Sequence, residues 1–223
     1  MKIYILGASN PETMRMLAAV QRSTPNFVVG GFLDNDPMKH GTEFHGVPVL
    51  GGLERVVDLA AIDARFVNLI TSSTLVRYET TRQIVAAGGK LINFIHPSVD
   101  LTMTDVGTGN YVQESVILQA GVRLGDNSSL HMAAIVGHQS TIGHSVFIAH
   151  AVSISGLCSI GDGTFIGTNA TVLPRITIGR WATIGAGTVV TKNVPDYSVV
   201  VGNPGRVLRL VEPRYADGTV SRV

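Results

Sequence analysis

Residues 134–155 read AIVGHQSTIGHSVFIAHAVSIS and set His138, His144 and His150 six residues apart. Six fits neither the 3.6-residue period of a helix face nor the two-residue alternation of a strand. The same stretch puts Val136, Ile142, Ile148 and Ile154 at six-residue intervals. That phase continues outward without a slip. Val106, Val112, Leu118, Leu124 and Leu130 precede it, and Ile160, Ile166, Val172, Ile178, Ile184 and Val190 follow it. Four residues after each aliphatic stands a mostly small or β-branched residue, from Val116, Val122, Ser128 and Ala134 to Cys158, Thr164 and Ala170. A glycine often follows directly, as at Gly107, Gly125, Gly143 and Gly161. A fixed period of this kind marks a solenoid. Six residues make one short strand and a turn, and three such strands close a triangular coil whose aliphatics stack inward. Successive repeats then lie on different faces, so the three histidines are expected to point apart, and no metal site is expected within one subunit.

The rest of the chain narrows the function. Seventeen basic and sixteen acidic residues leave no field to grip nucleic acid or an anionic membrane. The single cysteine, Cys158, cannot form an internal disulfide, which predicts a reducing, cytoplasmic setting. No apolar run approaches the roughly 20 residues of a membrane helix, so no membrane insertion is expected. Residues 1–96 alternate strand-like and helix-like patterns, which predicts a small parallel sheet covered by helices. KIYILGA, NFVVGGFLD, ARFVNLITS and KLINFI read as its strands. Asn10 is expected to cap a helix with Pro11 at its start and an apolar stripe of Met14, Leu17, Ala18 and Val20. Further helices are predicted over Leu53–Leu59 and Leu75–Ala87. Gly7-Ala8-Ser9 leaves the first strand and opens that first helix, where backbone N–H groups can receive an anion or simply make a tight turn. Asp34-Asn35-Asp36 follows the second strand, where an acidic residue commonly meets a ribose or base, or merely forms a solvated turn. The boundary falls at His96-Pro97. The solenoid then spans 97–211, with a C-terminal extension over 212–223.

With both halves in view, the chain resembles the bacterial hexapeptide-repeat acyltransferases, in particular the sugar acetyltransferases that include bacillosamine N-acetyltransferase and sialic acid O-acetyltransferase. PDYSVVVGNPGRVL, residues 195–208, resembles that family's exit segment, with Gly205 where the family usually carries alanine. The resemblance implies a small Rossmann-like domain that binds a nucleotide-linked sugar, followed by a left-handed parallel β-helix. It implies a homotrimer with acetyl-CoA as co-substrate in the groove between subunits, and no metal. It places a catalytic histidine at His138, followed by Gln139 where relatives carry an acidic residue, with Glu114 and Asp126 as substitute carboxylates. Gly156, eighteen residues after His138, matches the glycine whose N–H faces the thioester oxygen. Gly156, His150, Gly202, Pro204 and Arg206 become cofactor contacts. Gly7, Ala8, Ser9, Asp34, Asn35 and Asp36 become substrate contacts. His144 and His131 are candidate groove residues, Lys192 lies near the cofactor phosphates, Trp181 is a candidate for the trimer surface, and Cys158 is read as core.

The chemistry expected is direct acetyl transfer to an amino or hydroxyl group of a sugar destined for a surface glycan. Imidazole suits the proton transfer near neutral pH, and a base and an oxyanion donor on adjacent coils suit acyl transfer. A competing reading is a trimeric β-helix zinc protein of carbonic-anhydrase type, or a solenoid without catalysis.

Overall fold

The computed structural model describes residues 2–211, so the extension 212–223 lies outside the described residues. The second half is a left-handed parallel β-helix of three faces. Each face stacks two-residue strands eighteen residues apart. On the aromatic face Tyr111–Val112, Ser129–Leu130, Phe147–Ile148, Phe165–Ile166 and Thr183–Ile184 pair in parallel. The mixed face runs from Ile117–Leu118 to Val189–Val190, and the polar face from Asp105–Val106 to Thr177–Ile178.

The second residue of each pair points inward. From Val112 to Val190 all of these are buried, and Val106 packs against the cluster at its open end. The residue four places on is buried as well, from Val116 to Ala170. These two sets fill the prism. The corners bear a conformational cost. Ser115, Asn127, Ala133, Gln139, Ser145, Ala151, Leu157, Asn169, Arg175 and Trp181 all take φ between 53° and 64°, where a side chain is disfavoured. Gly109, Gly121, Gly163 and Gly187 take the same left-handed corners without that cost, while the glycines directly after the aliphatic are there for a different reason. A Cβ at Gly161 would come within 2.6 Å of the Arg180 nitrogen one coil on. Close approach of coils, not backbone freedom, demands glycine there.

The first domain is a four-stranded parallel sheet ordered Val29–Leu33, Ile3–Leu6, Arg65–Asn68, Lys90–Leu91. Three helices pack on it: α1 (Glu12–Ser23), α2 (Val56–Ala61, entered through a 3-10 turn at Leu53–Arg55) and α3 (Thr74–Ala86). The side chain of Asn10 accepts the Glu12 N–H at 3.0 Å, which caps α1 as expected. Its stripe differs from the expected one. Ala19 is buried and Ala18 exposed, because Met16, Leu17, Ala19 and Val20 complete the inward arc. KLINFI is also not one strand. Lys90–Leu91 closes the first sheet, while Phe94–Ile95 pairs with Tyr111–Val112 and starts the β-helix. An apolar run alone does not specify which sheet takes up its hydrogen bonds.

Truncating one rung of the inward stack tests this packing. Ile148, fully buried between Leu130 and Ile166, is expected to cost about 2–5 kcal/mol when changed to Ala, through lost transfer energy and a residual cavity. Urea unfolding at equilibrium measures it, and a loss below about 1 kcal/mol would contradict a close-packed core.

Candidate active site

Every corner of the β-helix carries one of the three histidines. His138 lies where the mixed face turns into the polar face, His144 where polar turns into aromatic, and His150 where aromatic turns into mixed. Within one chain they do not share a groove, and among the described residues no three metal-ligating side chains cluster.

His138 is exposed but held in place. Its N–H donates to Gln119 Oε1 at 2.9 Å, and its carbonyl accepts the Leu157 N–H at 2.9 Å. The ring Nδ1 lies 3.3 Å from Gln139 Oε1. With Nδ1 donating to that amide oxygen, the basic lone pair sits on Nε2. The ring lies against Gly156 on the next coil, so that a Cβ there would come within 2.5 Å of Nε2. The two residues singled out by their eighteen-residue spacing are thus in direct contact. On the polar–aromatic corner, the equivalent N–H groups of Thr108, Asp126 and His144 are each taken by the side chain one coil on. One coil beyond Gly156 stands Pro174. The Gly156 N–H has no hydrogen-bond acceptor among the described residues.

Neither substitute carboxylate reaches His138. Glu114 pairs with Arg15 at 2.5 Å. Asp126 belongs to His144, with Oδ2 3.2 Å from His144 Nδ1 and its own N–H donating to that nitrogen at 2.9 Å. Trp181 packs edge-on against Tyr78 of α3, with ring centroids 5.8 Å apart, inside the chain. Cys158 is buried, its thiol donates to the Leu173 carbonyl at 3.2 Å, and burial pushes its pKa up, as suits a core residue.

Between the first domain and the first coils lies a cavity of 410 Å³. Gly7, Ser9, Asp34 and Asn35 line one side, Tyr111 and His131 another, and the Ile70–Ser72 segment closes it. A second chamber of 630 Å³ continues along the aromatic face past Phe147, His150 and Phe165. Asn10, Thr71, Ser72 and His131 border both, so they form the neck between them. Of the first-domain triplets, Ala8 and Asp36 stand apart from the lining. Ala8 is buried and donates its N–H to Asp34 Oδ2 at 2.9 Å, while Asp36 accepts the Met38 N–H and caps a 3-10 turn. Asn35 accepts the Leu53 N–H at 3.0 Å. Burial raises the Asp34 carboxyl, but hydrogen bonds from Lys39, Asp36 and Ala8 outweigh it and hold the group below the usual range. Lys39 Nζ bridges Asp34 Oδ2 at 2.7 Å and Ser9 Oγ at 2.8 Å, a cation at the turn that the sequence reading did not single out.

At the far end, Lys192, Pro204, Gly205 and Arg206 border a cavity of 360 Å³. Gly202 takes φ 97° and accepts the Val189 N–H at 3.0 Å. A Cβ at Gly205 would meet Thr188 and the Val189 carbonyl at 3.0 Å, which explains glycine where alanine is usual.

Residues 157–192 match the profile of the bacterial transferase hexapeptide (six repeats). The matched stretch makes two coils of the β-helix. Over nearly the whole chain, the fold is that of a perosamine N-acetyltransferase from Caulobacter crescentus solved with CoA and GDP-perosamine. Identity is 26%, the TM-score is 0.83, and the match covers 93% of this chain and 96% of that one. The acetyltransferase domain of PglB from Neisseria gonorrhoeae, solved with acetyl coenzyme A, is 28% identical with a TM-score of 0.81, over 93% and 98% of the two chains. Serine acetyltransferase 2 of Arabidopsis thaliana is 33% identical over 121 residues, 53% of this chain. The chain spans 22% to 32% of the length of the serine acetyltransferases it matches. The whole-chain likeness is therefore to sugar N-acetyltransferases, in line with the resemblance carried by the sequence.

His131 gives this region a measurable pH signature. Burial first, then His150 and Arg77, push its pKa down to about 3 from 6.5. The unfolded chain binds a proton near 6.5 that the folded chain refuses until about 3. Stability from the neutral ring is complete above 6.5 and is lost as pH falls through that window. His131→Asn is expected to reduce the fall in Tm between pH 7 and pH 5. An unchanged slope would remove His131 from the acid response.

Proposed function

We propose that the protein is an acetyl-CoA-dependent N-acetyltransferase acting on a nucleotide-linked amino sugar for glycan biosynthesis, with His138 as general base. The observation that carries this reading is the contact of His138 with Gly156, whose N–H is open. Nε2 takes a proton from the acceptor amine as the nitrogen attacks the thioester carbonyl. The C–N bond forms, the C–S bond breaks, and the CoA sulfur leaves with a proton returned by the imidazolium. The carbonyl oxygen gains charge beside the Gly156 N–H. Gln139 orients the ring without stabilising imidazolium, which favours an amine acceptor over the less nucleophilic hydroxyl.

The acceptor's nucleotide fits the 410 Å³ cavity, with Ser9, Asp34 and Asn35 as its polar contacts. The acetyl-CoA phosphates fit the basic end at Lys192 and Arg206. Residue character on the three faces supports a homotrimer. The polar face turns Asp105, Arg123, Thr141, Ser159 and Thr177 outward. The other two turn out Phe147 and Phe165, and Ile117, Ile135 and Val189. Packing aromatic face against mixed face around a threefold axis buries these and brings one subunit's His138 toward the next subunit's chamber. A cytoplasmic setting is consistent with acetyl-CoA as donor.

Free CoA release from acetyl-CoA and a panel of UDP-, GDP- and dTDP-linked amino sugars tests the activity. His138→Ala is expected to lower kcat by about 100-fold or more while acetyl-CoA still binds. Gly156→Ala, whose methyl displaces the imidazole, is expected to act likewise at unchanged Tm. Wild-type rates in both variants would relocate the base. Gln139→Glu is expected to raise kcat, because a carboxylate stabilises the imidazolium formed in the transition state. Sedimentation equilibrium checks the trimer, and a monomer mass would break the site as described.

A further inference from the structure

The largest fully buried side chain among the described residues is charged: Arg77, on α3 of the first domain, at 1% exposure. No carboxylate pairs with it among the described residues. Its fork donates instead to three carbonyls. Nε reaches Asn127 at 2.8 Å and Nη2 reaches Gly109 at 3.0 Å, both on corners of the β-helix. Nη1 donates to Asn68, at the end of a first-domain strand. A buried guanidinium is tolerated only when its donors are satisfied. Here the acceptors come from both domains, so the charge is satisfied only while the domains keep one relative position.

We propose that Arg77 is a positioning residue that sets the separation between the two walls of the 410 Å³ cavity. The first wall hangs from Asn68. Its carbonyl takes Arg77, its Oδ1 accepts the Ile70 N–H at 2.9 Å, and its Nδ2 donates to the Arg77 carbonyl at 3.1 Å and to Thr81 Oγ1 at 2.9 Å. Ile70, Thr71 and Ser72 line the cavity. The second wall hangs from Gly109, two residues before the lining Tyr111, and from Asn127. Thr81 Oγ1 donates on to Asn127 Oδ1 at 2.8 Å, and Asn127 Nδ2 to Ser145 Oγ at 2.8 Å. A shift of one wall lengthens a charged hydrogen bond that no water replaces in the dry interior. Arginine suits this place: lysine's three donors all radiate from one nitrogen and do not span carbonyls set this far apart, and methionine fills the volume without donating.

Hydrogen–deuterium exchange on Arg77→Met, beside the wild type, tests the proposal without a ligand. Loss of hydrogen bonds from a charged group is expected to speed exchange about 10-fold or more at residues 69–72 and 108–112. Coils 141–190 are expected to keep wild-type protection. Unchanged protection at both walls would reduce Arg77 to volume filling, and equal loosening throughout the solenoid would make it a general stability residue. Either result overturns the proposal. If Arg77→Met fails to fold, Thr81→Val, which removes one hydroxyl of the same network, is expected to show the same local pattern more weakly. Wild-type protection in Thr81→Val then sinks the idea.

An activity arm rests on the proposed acetyl transfer. In Arg77→Met the acceptor KM is expected to rise about 10-fold, with kcat and the acetyl-CoA KM within threefold. A wild-type chain with no transferase activity would overturn that function and leave the exchange result to decide on Arg77.

Discussion

The structure depends on one packing constraint: an aliphatic side chain every sixth residue must meet its counterparts one coil away inside a narrow prism. Close packing in that space leaves little tolerance for a change in volume or a shift in register. The corners yield to it. Non-glycine residues accept left-handed backbone at corner after corner, because the stacked ladders and the coil-to-coil hydrogen bonds over-determine the turn. Glycine serves a few of those corners, and also the places where one coil would otherwise collide with the next.

That regularity also explains how a surface histidine becomes chemically specific. His138 has no burial to shape it. Its position is set by the backbone bonds of its coil, by Gln119 below and by the bare Cα of Gly156 above. The lattice of 18-residue coils places the imidazole and the Gly156 backbone one strand spacing apart. The first domain is joined to the same lattice by a buried hydrogen-bond network centred on Arg77.

Much of this was legible from spacing. The ladder, the three diverging histidines and the pairing of His138 with Gly156 all follow from counting in sixes and eighteens. Asp126 and His144 are also eighteen apart, a spacing that the expectation of Asp126 beside His138 passed over. Phe147 and Phe165, also eighteen apart, announce an aromatic wall. What spacing does not carry is the docking of the two halves. That Arg77 is buried, that Trp181 meets Tyr78, and that Phe94–Ile95 joins the solenoid each depend on contacts between distant segments. Local pattern distinguishes an inward from an outward residue, but not which neighbour covers it.

Pro174 shows how one residue alters the hydrogen bonding that a repeat offers its neighbour. On the polar–aromatic corner a side chain from the following turn takes the amide beneath it at Thr108, Asp126 and His144. A ring with nothing to offer leaves the amide of Gly156 vacant. One substitution in a repeat can thus change which backbone groups a coil leaves free without altering the ladder inside it.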